Sequence, residues 1–253
     1  MGTALINDVI AFCDELLDSE SFDDWSPNGI QVAGTDSTSM VVTGVSARLE
    51  LFERAAELGA GLVICHHGIL HGAGGPIDRR QGARLKALLV PGIALAQYHL
   101  PLDAHPKIGN NALLAAGLGA TVSGRCCPVR GREIGVIADF ADGIAAEALV
   151  ERVAALCRRE PLALLDGPQV IKRIAIVSGA AAGEVGAVAD LGLDALLTGE
   201  PNESSVPLAS EAGIHLICAG HHATETFGIE ALGSAIAGQF GIEHRFIEIP
   251  NPV

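Results

Sequence analysis

Histidine and carboxylate residues, both common metal ligands, follow several of the apolar runs in this chain. After the run Leu216–Cys218 come His221 and Glu225, four residues apart. A spacing of four places both side chains on one helix face, and that face then continues as an amphipathic stripe. A buried imidazole and carboxylate are costly without partners, so this pair either caps a helix and hydrogen-bonds locally or holds a metal ion. The stripe consists of Ile229, Leu232, Ile236 and Phe240.

Two adjacent histidines, His66 and His67, end the apolar stretch that begins at Leu62. We interpret Leu62–His67 as a buried strand. Neighbouring strand residues point to opposite faces, so the two rings would not ordinarily bind one ion. At a strand end they could instead serve two metal ions a few ångströms apart. The alternative is a pair of surface or capping histidines.

Three further polar residues are candidates because each follows an apolar run. Asp103 is either a metal ligand or the side chain of an Asx-turn. For His99 we expect a hydrogen bond at the strand end, a role in orienting ligands or a proton-shuttle role, rather than direct metal ligation. Glu200 either lines the site or caps the helix that begins near Asn202.

The remaining histidines are less informative. His222 is about 100° around the helix from His221, so we expect it to face outward or to line the cavity. For the others we expect ordinary structural roles; these are His71, His105, His215 and His244.

Apolar strands alternate with helical segments of about ten residues, a pattern typical of α/β folds with parallel sheets and helices packed on them. A unit of helix, glycine, apolar strand and polar residues recurs four times. In open α/β sheets ligands bind beyond the carboxyl ends of the strands, so we expect these polar residues to meet at one place or at two facing places. We predict helices over 4–18, 49–58, 79–89, 110–118, 144–157, 183–191 and 204–212, a loop over 68–76 and a turn-rich stretch from Ser123 to Arg132.

The composition excludes several classes of protein. Its 253 residues are enough for one large or two smaller α/β domains. A net charge of −14 without any Lys/Arg run argues against nucleic-acid binding and against an anionic membrane surface. Six cysteines without a C-x-x-C pair, no signal-peptide pattern and no apolar run of about 18 residues predict a reduced, cytoplasmic protein.

A glycine-rich turn, Gly179–Gly183, follows a predicted strand and could contact a phosphate. It is not a G-x-G-x-x-G fingerprint and lacks the Lys-Ser/Thr of a P-loop. An ordinary strand-to-helix turn explains it as well, and a dinucleotide-binding protein is disfavoured.

Taken together, these motifs resemble the NIF-three-like dinuclear metal-centre family, whose bacterial members are often labelled GTP cyclohydrolase I type 2 homologues. The resemblance extends along essentially the whole chain. It rests on Asn28–Val32 (NGIQV), Cys65–Gly68 (CHHG), Tyr98–His105 (YHLPLDAH), Gly109–Asn111 (GNN), Thr198–Glu200 (TGE) and Gly220–Glu225 (GHHATE).

The resemblance implies two interlinked α/β domains with mainly parallel sheets, a metal site in the inter-domain cleft and a toroidal homohexamer. We place the first domain at 1–124 plus 241–253 and the second at 125–240. His222 stands where some relatives carry Tyr. The family's ligands for two divalent ions map onto His66, His67, Asp103, His221 and Glu225.

The function that this resemblance implies is a dinuclear metal-dependent hydrolase of the GTP cyclohydrolase type. Imidazole and carboxylate ligands suit Zn, Fe, Mn, Co or Ni, and a metal-activated water would attack a nucleotide. On GTP the attack would fall on the imidazole carbon of guanine and release formate, with His99 and Glu200 as the candidate catalytic residues that move protons. No other cofactor is expected. The alternative is a metal-binding hexameric scaffold, or a metal-delivery or regulatory protein, without significant catalysis.

Overall fold

The computed structural model describes residues 2–70 and 75–253 and consists of two compact units. The first unit comprises Met1–Leu102 and Gly228–Ile249, and the second comprises Asp103–Phe227 and Pro250–Val253. Two of the crossings between units lie inside helices, within Leu100–Ala104 and within Thr226–Phe240. The boundary expected near residue 124 falls within a strand of the second unit.

A five-stranded sheet forms the centre of the first unit. Its spatial order is β13-β4-β5-β6-β2, in which the first three pairings are parallel and β6–β2 is antiparallel. The short strands β1 and β3 form a separate antiparallel pair. The strands are β1 (Ala4–Leu5), β2 (Gly29–Val32), β3 (Ser37–Thr38), β4 (Met40–Ser46), β5 (Leu62–His67), β6 (Ala94–Gln97) and β13 (Glu243–Phe246).

Amphipathic helices cover this sheet. In α2 (Leu49–Glu57), the buried side chains are Leu51, Phe52 and Ala55. Gly59 follows this helix and has a positive φ of 72°. One hydrophobic core joins α2 and α3 to β4, β5 and β6. The helices are α1 (Ile6–Leu17), α2 (Leu49–Glu57), α3 (Arg79–Leu89), α4 (Leu100–Ala104), which contains the first crossing, and α10 (Thr226–Phe240), which contains the second.

The second unit is built on a six-stranded mixed sheet of order β7-β8-β10-β11-β12-β9. The central strands β10, β11 and β12 are parallel, whereas the other three pairings are antiparallel. Its strands are β7 (Thr121–Val129), β8 (Arg132–Ala145), β9 (Leu162–Leu165), β10 (Val170–Ile176), β11 (Ala195–Thr198) and β12 (His215–Cys218). Its helices are α5 (Asn110–Gly117), α6 (Ala146–Cys157), α7 (Val185–Asp190), α8 (Ser205–Ala212) and α9 (His221–Thr224).

Both faces of this second sheet are buried. Along β10, Ile174 and Ile176 join one hydrophobic cluster, while Ala175 joins another. The alternation follows from the two-residue period of a strand. Continuous apolar runs are therefore needed at the centre of the sheet, and their carboxyl ends are the points at which polar residues emerge.

The α/β class is confirmed, with one correction to the sheets. The stretch from Ser123 to Arg132 lies in a β-hairpin and is not a turn-rich segment. With the antiparallel pairings β8–β10 and β9–β12, this hairpin makes the second sheet mixed rather than mainly parallel. The prediction of a turn-rich stretch was based on Gly124, Pro128 and Gly131. In the structure the irregular backbone consists of positive φ at Cys127, Arg130 and Gly131 and of a register shift near Gly124.

Within the described part of the chain, no helix is long and apolar enough to cross a membrane. Four residues of the loop predicted over 68–76, numbers 71–74, lie outside the described residues, and so does His71.

Candidate metal centre

In the first unit, three histidines gather at the carboxyl ends of two parallel strands. β5 ends at His67, and β6 ends two residues before His99. One ring nitrogen from each of His66, His67 and His99 lies within 4.8 Å of the others. The adjacent rings of His66 and His67 are 4.7 Å apart at 50°. Strand termination thus lets two consecutive side chains face the same space, as the two-ion interpretation requires.

Hydrogen bonds fix the orientation of this cluster. The fully buried His66 donates its Nδ1–H to the carbonyl of Tyr98 at 3.0 Å, which fixes the tautomer with the lone pair on Nε2. The chain after His67 is also held, since the Gly68 amide donates to Gln97 Oε1 at 2.7 Å and the Ile69 amide to Gln31 Oε1 at 2.8 Å. Gln31 belongs to the NGIQV segment, and this is its structural role.

A residue that sequence reasoning missed, Asp24, holds His99. The Nδ1–H of His99 donates to Asp24 Oδ1 at 2.8 Å, and the amide of Leu100 donates to Asp24 Oδ2 at 3.0 Å. Burial raises the pKa of the Asp24 carboxyl, but hydrogen bonds and the charge of His99 outweigh this and keep the pKa below its ordinary value. The available signal was the sequence DWSPNG at Asp24–Gly29, whose Pro and Gly indicate a turn but do not identify a partner for the carboxylate.

In the second unit, the parallel strands β10, β11 and β12 direct their carboxyl ends to one edge of the sheet. The residues that follow them are Ser178 and Gly179, then Glu200, then His221. These connections are tightly packed: a Cβ added at Gly199 would lie 2.5 Å from the Gly179 carbonyl oxygen and 2.6 Å from His221 Cα. The Glu200 and His221 strand ends, which the recurring unit predicted to meet, are in contact. The Gly179 turn beside them was not among the strand ends that the pattern singled out.

His221 is hydrogen-bonded between two carboxylates. Its Nδ1–H donates to Glu200, and its Nε2 lies 3.1 Å from Oε1 of Glu225. Burial disfavours the imidazolium, but hydrogen bonds and charges from Glu225 and Glu200 outweigh that cost and raise the pKa of His221 to about 9. Such a site favours a cation. Glu200 does not cap the next helix, because the Ser205 amide donates to Asn202 Oδ1 instead.

The helix predicted to run continuously from His221 to Phe240 is broken at Glu225. α9 (His221–Thr224) is a single turn, and Glu225 has φ −111° and ψ 4° before α10 begins. Thr224 stabilises the break, since its hydroxyl donates to the His221 carbonyl at 2.9 Å and accepts the Gly179 amide at 3.1 Å. Glu225 is almost completely buried and still faces His221.

Asp103, within α4, is also nearly buried and does not form the Asx-turn considered from sequence. Its Oδ1 accepts the Asn110 side-chain amide at 2.7 Å and the Ser178 hydroxyl at 3.0 Å. Both donors bond the same oxygen, and together they fix the orientation of the carboxylate. Ser178 links this carboxylate to the Gly179 turn. We had not assigned a site role to Asn110 or Ser178, and the GNN motif was the signal for the former.

The glycine-rich turn packs against the carboxylate of Glu225. A Cβ at Gly179 would lie 2.7 Å from Glu225 Oε1, and its φ is +71°. Its amide donates to Thr224, and its carbonyl accepts the amides of Gly199 and Glu200. Because these backbone groups are used within the protein, the turn positions the candidate ligands and gives no support to a phosphate role.

The remaining described histidines have structural partners. His222 is buried, which excludes the outward-facing position, one of the two that we expected from the sequence. His105 accepts backbone amides in a turn, His215 donates to the Pro168 carbonyl and His244 contacts the Thr43 hydroxyl at 2.8 Å. Ordinary roles for these three are confirmed.

The fold and these clusters define a class: an α/β protein with buried imidazole and carboxylate groups at strand ends that could hold a metal ion. Residues 4–252 match the Duf34/NIF3 (NGG1p interacting factor 3) family, and the chain belongs to that family. The resemblance seen in the motifs is thereby confirmed.

Relatives of known sequence and structure agree. The chain is 40% identical over 248 residues to a Pseudomonas aeruginosa protein named "GTP cyclohydrolase 1 type 2 homolog", covering 98% of each chain. It is 41% identical over 240 residues to an Escherichia coli K12 protein of the same name, covering 94% of this chain and 95% of that one. A solved structure described as protein ybgI, of unknown function, matches with a TM-score of 0.94 and 37% identity over 99% of this chain and 100% of that one.

Proposed function

We propose that the protein is a hydrolase that uses two divalent metal ions and acts on a nucleotide. His66, His67, Asp103, His221 and Glu225 together hold the ions. One observation carries this proposal most directly: His221 is anchored by Glu200 through one nitrogen and faces Glu225 with the other. Metal-binding histidines typically have such a carboxylate partner behind them.

The donor set fits borderline divalent ions. Three imidazoles and two carboxylates suit Zn, Fe, Mn, Co or Ni better than Ca or Mg. Each unit by itself supplies too few of these groups for two ions. Their joint use is what the resemblance of the motifs to the family implies. The family membership and the names of the relatives point the same way.

When bound, such ions supply Lewis acidity and a water that loses its proton near neutral pH. The chain's own residues then position and transfer protons. Asp24 fixes the Nδ1–H tautomer of His99, so Nε2 of His99 can accept or donate a proton at the substrate. Glu200, expected from sequence to move protons, orients His221 in this mechanism. Asn110 and Ser178 both donate to Oδ1 of Asp103 and so fix the orientation of this carboxylate.

Metal analysis and a turnover screen test this proposal. The purified protein should contain about two equivalents of divalent metal and should hydrolyse at least one nucleotide in a panel that includes GTP, with loss of activity in chelator. His66→Ala and Glu225→Ala should lose metal and turnover together. Glu230→Ala, at an exposed position five residues along the chain, is the control and should retain both.

Two outcomes contradict the hydrolase. Turnover that survives in a metal-free variant would show that the ions are not needed. Full metal occupancy without turnover of any tested nucleotide or phosphoester would favour the metal-binding scaffold or delivery protein.

We also propose, from the family resemblance, that the chain assembles as a homohexamer. Size-exclusion chromatography with light scattering should give a molar mass of about six times the 25.9 kDa mass of one chain. A monomer or dimer at micromolar concentration would refute it.

A further inference from the structure

A half-exposed tryptophan lies beside the histidine cluster of the first unit. Trp25 is the single tryptophan of the chain, and 49% of its surface is accessible. Its ring centroid is 5.7 Å from that of His99, with an interplanar angle of 49°. A large aromatic side chain that remains exposed next to a polar cluster is a common feature of ligand sites.

Trp25 extends the ring array formed by the candidate metal ligands. The His99 ring is 5.0 Å from the His66 ring and 5.4 Å from the His67 ring. The indole therefore lies beside an imidazole that is itself adjacent to two of the candidate metal ligands.

The turn that carries Trp25 is fixed before any ligand arrives. The Trp25 amide donates to Asp24 Oδ1 at 2.7 Å, and the Asn28 side-chain amide donates to Asp24 Oδ2 at 3.2 Å. Asn28 Oδ1 in turn accepts the His99 amide at 2.9 Å. A ring presented from a hydrogen-bonded turn loses little conformational entropy on binding.

We propose that Trp25 is the stacking platform for a planar nitrogen heterocycle, which makes the substrate class a nucleoside or related base-bearing compound. This inference rests on the proposed function, because it places the heterocycle at the metal-dependent hydrolase site. Stacking on the indole gives affinity for any base, because every base has a π-face. It does not require base-specific hydrogen bonds. In a chain of net charge −14, contact with the base offsets repulsion of a phosphate tail.

The single tryptophan makes binding directly measurable. In the zinc-loaded full-length protein, guanosine and GTP should quench Trp25 fluorescence in a saturable manner, whereas tripolyphosphate, which lacks a base, should not. Adenosine and a pterin extend the panel. Equal quenching by tripolyphosphate, or no saturable quenching by any planar compound, overturns the proposal. So does an emission shift that depends on protein concentration alone, because it would show that another copy of the chain covers the ring.

Two variants of Trp25 distinguish aromatic stacking from simple apolar contact. Trp25→Phe retains an aromatic face and should bind guanosine within about threefold of wild type, while Trp25→Leu should bind roughly tenfold more weakly. Calorimetry measures these affinities, since the variants lack the fluorophore. Leu58→Ala, another half-exposed apolar side chain of the same unit, should leave binding unchanged. Equal affinities for Trp25→Phe and Trp25→Leu would refute stacking.

The two proposals fail in different ways. If metal-dependent turnover persists in Trp25→Leu with an unchanged KM, the stacking role is wrong and the hydrolase stands. If no compound is turned over but the planar compounds still quench in a saturable way, the binding site stands and the hydrolase is wrong. Metal content should be normal in both variants.

Discussion

The Nε2 atom of His221 lies 3.1 Å from Oε1 of Glu225, although the helix that would place these two residues on one face is interrupted between them. The contact survives because Thr224 and Gly179 hold the break in place. The local backbone is thus built around this imidazole–carboxylate pair, and the following predictions test its supports.

Replacing Glu200 with Gln should weaken metal binding by about 10–100-fold, because the amide is a poorer acceptor for the His221 Nδ1–H and leaves the ring less basic. Calorimetric titration of the metal-free protein with zinc measures the change. Glu203→Gln, an exposed neighbour, removes the same charge without touching His221 and should bind zinc as wild type does. Equal losses in the two variants would attribute the effect to net charge.

Substituting Ala for Gly179 should reduce both stability and metal affinity. The new Cβ would meet Glu225 Oε1 at 2.7 Å and would also occupy a positive-φ conformation. Gly192 has nearly the same φ, +68°, and nothing within 4 Å of an added Cβ. Gly192→Ala should therefore cost only the backbone strain, about 1–2 kcal/mol, and leave zinc affinity intact. Urea unfolding and zinc titration of both variants decide whether the contact with Glu225 matters.

Changing Asp24 to Asn should destabilise the first unit by about 1–3 kcal/mol, since an amide nitrogen would then face hydrogen-bond donors such as the Leu100 amide or the His99 ring. Turnover should fall as well, because His99 loses its fixed tautomer. Asp36→Asn, at an exposed position of the same unit, should change neither. Unaffected activity in Asp24→Asn would remove His99 from the mechanism.

Stability should decrease on mild acidification through His244. Burial lowers the pKa of this ring below its ordinary value of 6.5, so the folded state keeps it neutral while the unfolded chain takes up a proton. Its contribution is fully present above about pH 6.5 and declines as the pH falls from there toward the folded pKa. Urea unfolding between pH 8 and 5.5 should show a steeper loss for wild type than for His244→Gln. Parallel curves would rule out this histidine as the source.

Local patterns identified much of the site's framework. The strand Leu62–His67 and the helix Arg79–Leu89 have the predicted bounds, because each is a strong run or periodic pattern with clear end signals. The candidate ligands were found by type and by their place after apolar runs. The hairpin of β7 and β8 was missed, since Gly and Pro within it also mark turns. Asp24 was missed because its partner, His99, is 75 residues away.

The sequence by itself determined the α/β class, the family and the residue types available for metal binding, because these depend on periodicity and on motifs that are local in the chain. Only the tertiary structure decided which hydrogen bonds orient each candidate ligand: Asp24 on His99, Glu200 on His221, and Asn110 with Ser178 on Asp103. Most of these partners are distant in sequence and meet through strand pairing and turn geometry. Residue spacing along the chain does not predict these contacts. They form when each sheet buries its apolar faces and brings the ends of neighbouring strands together.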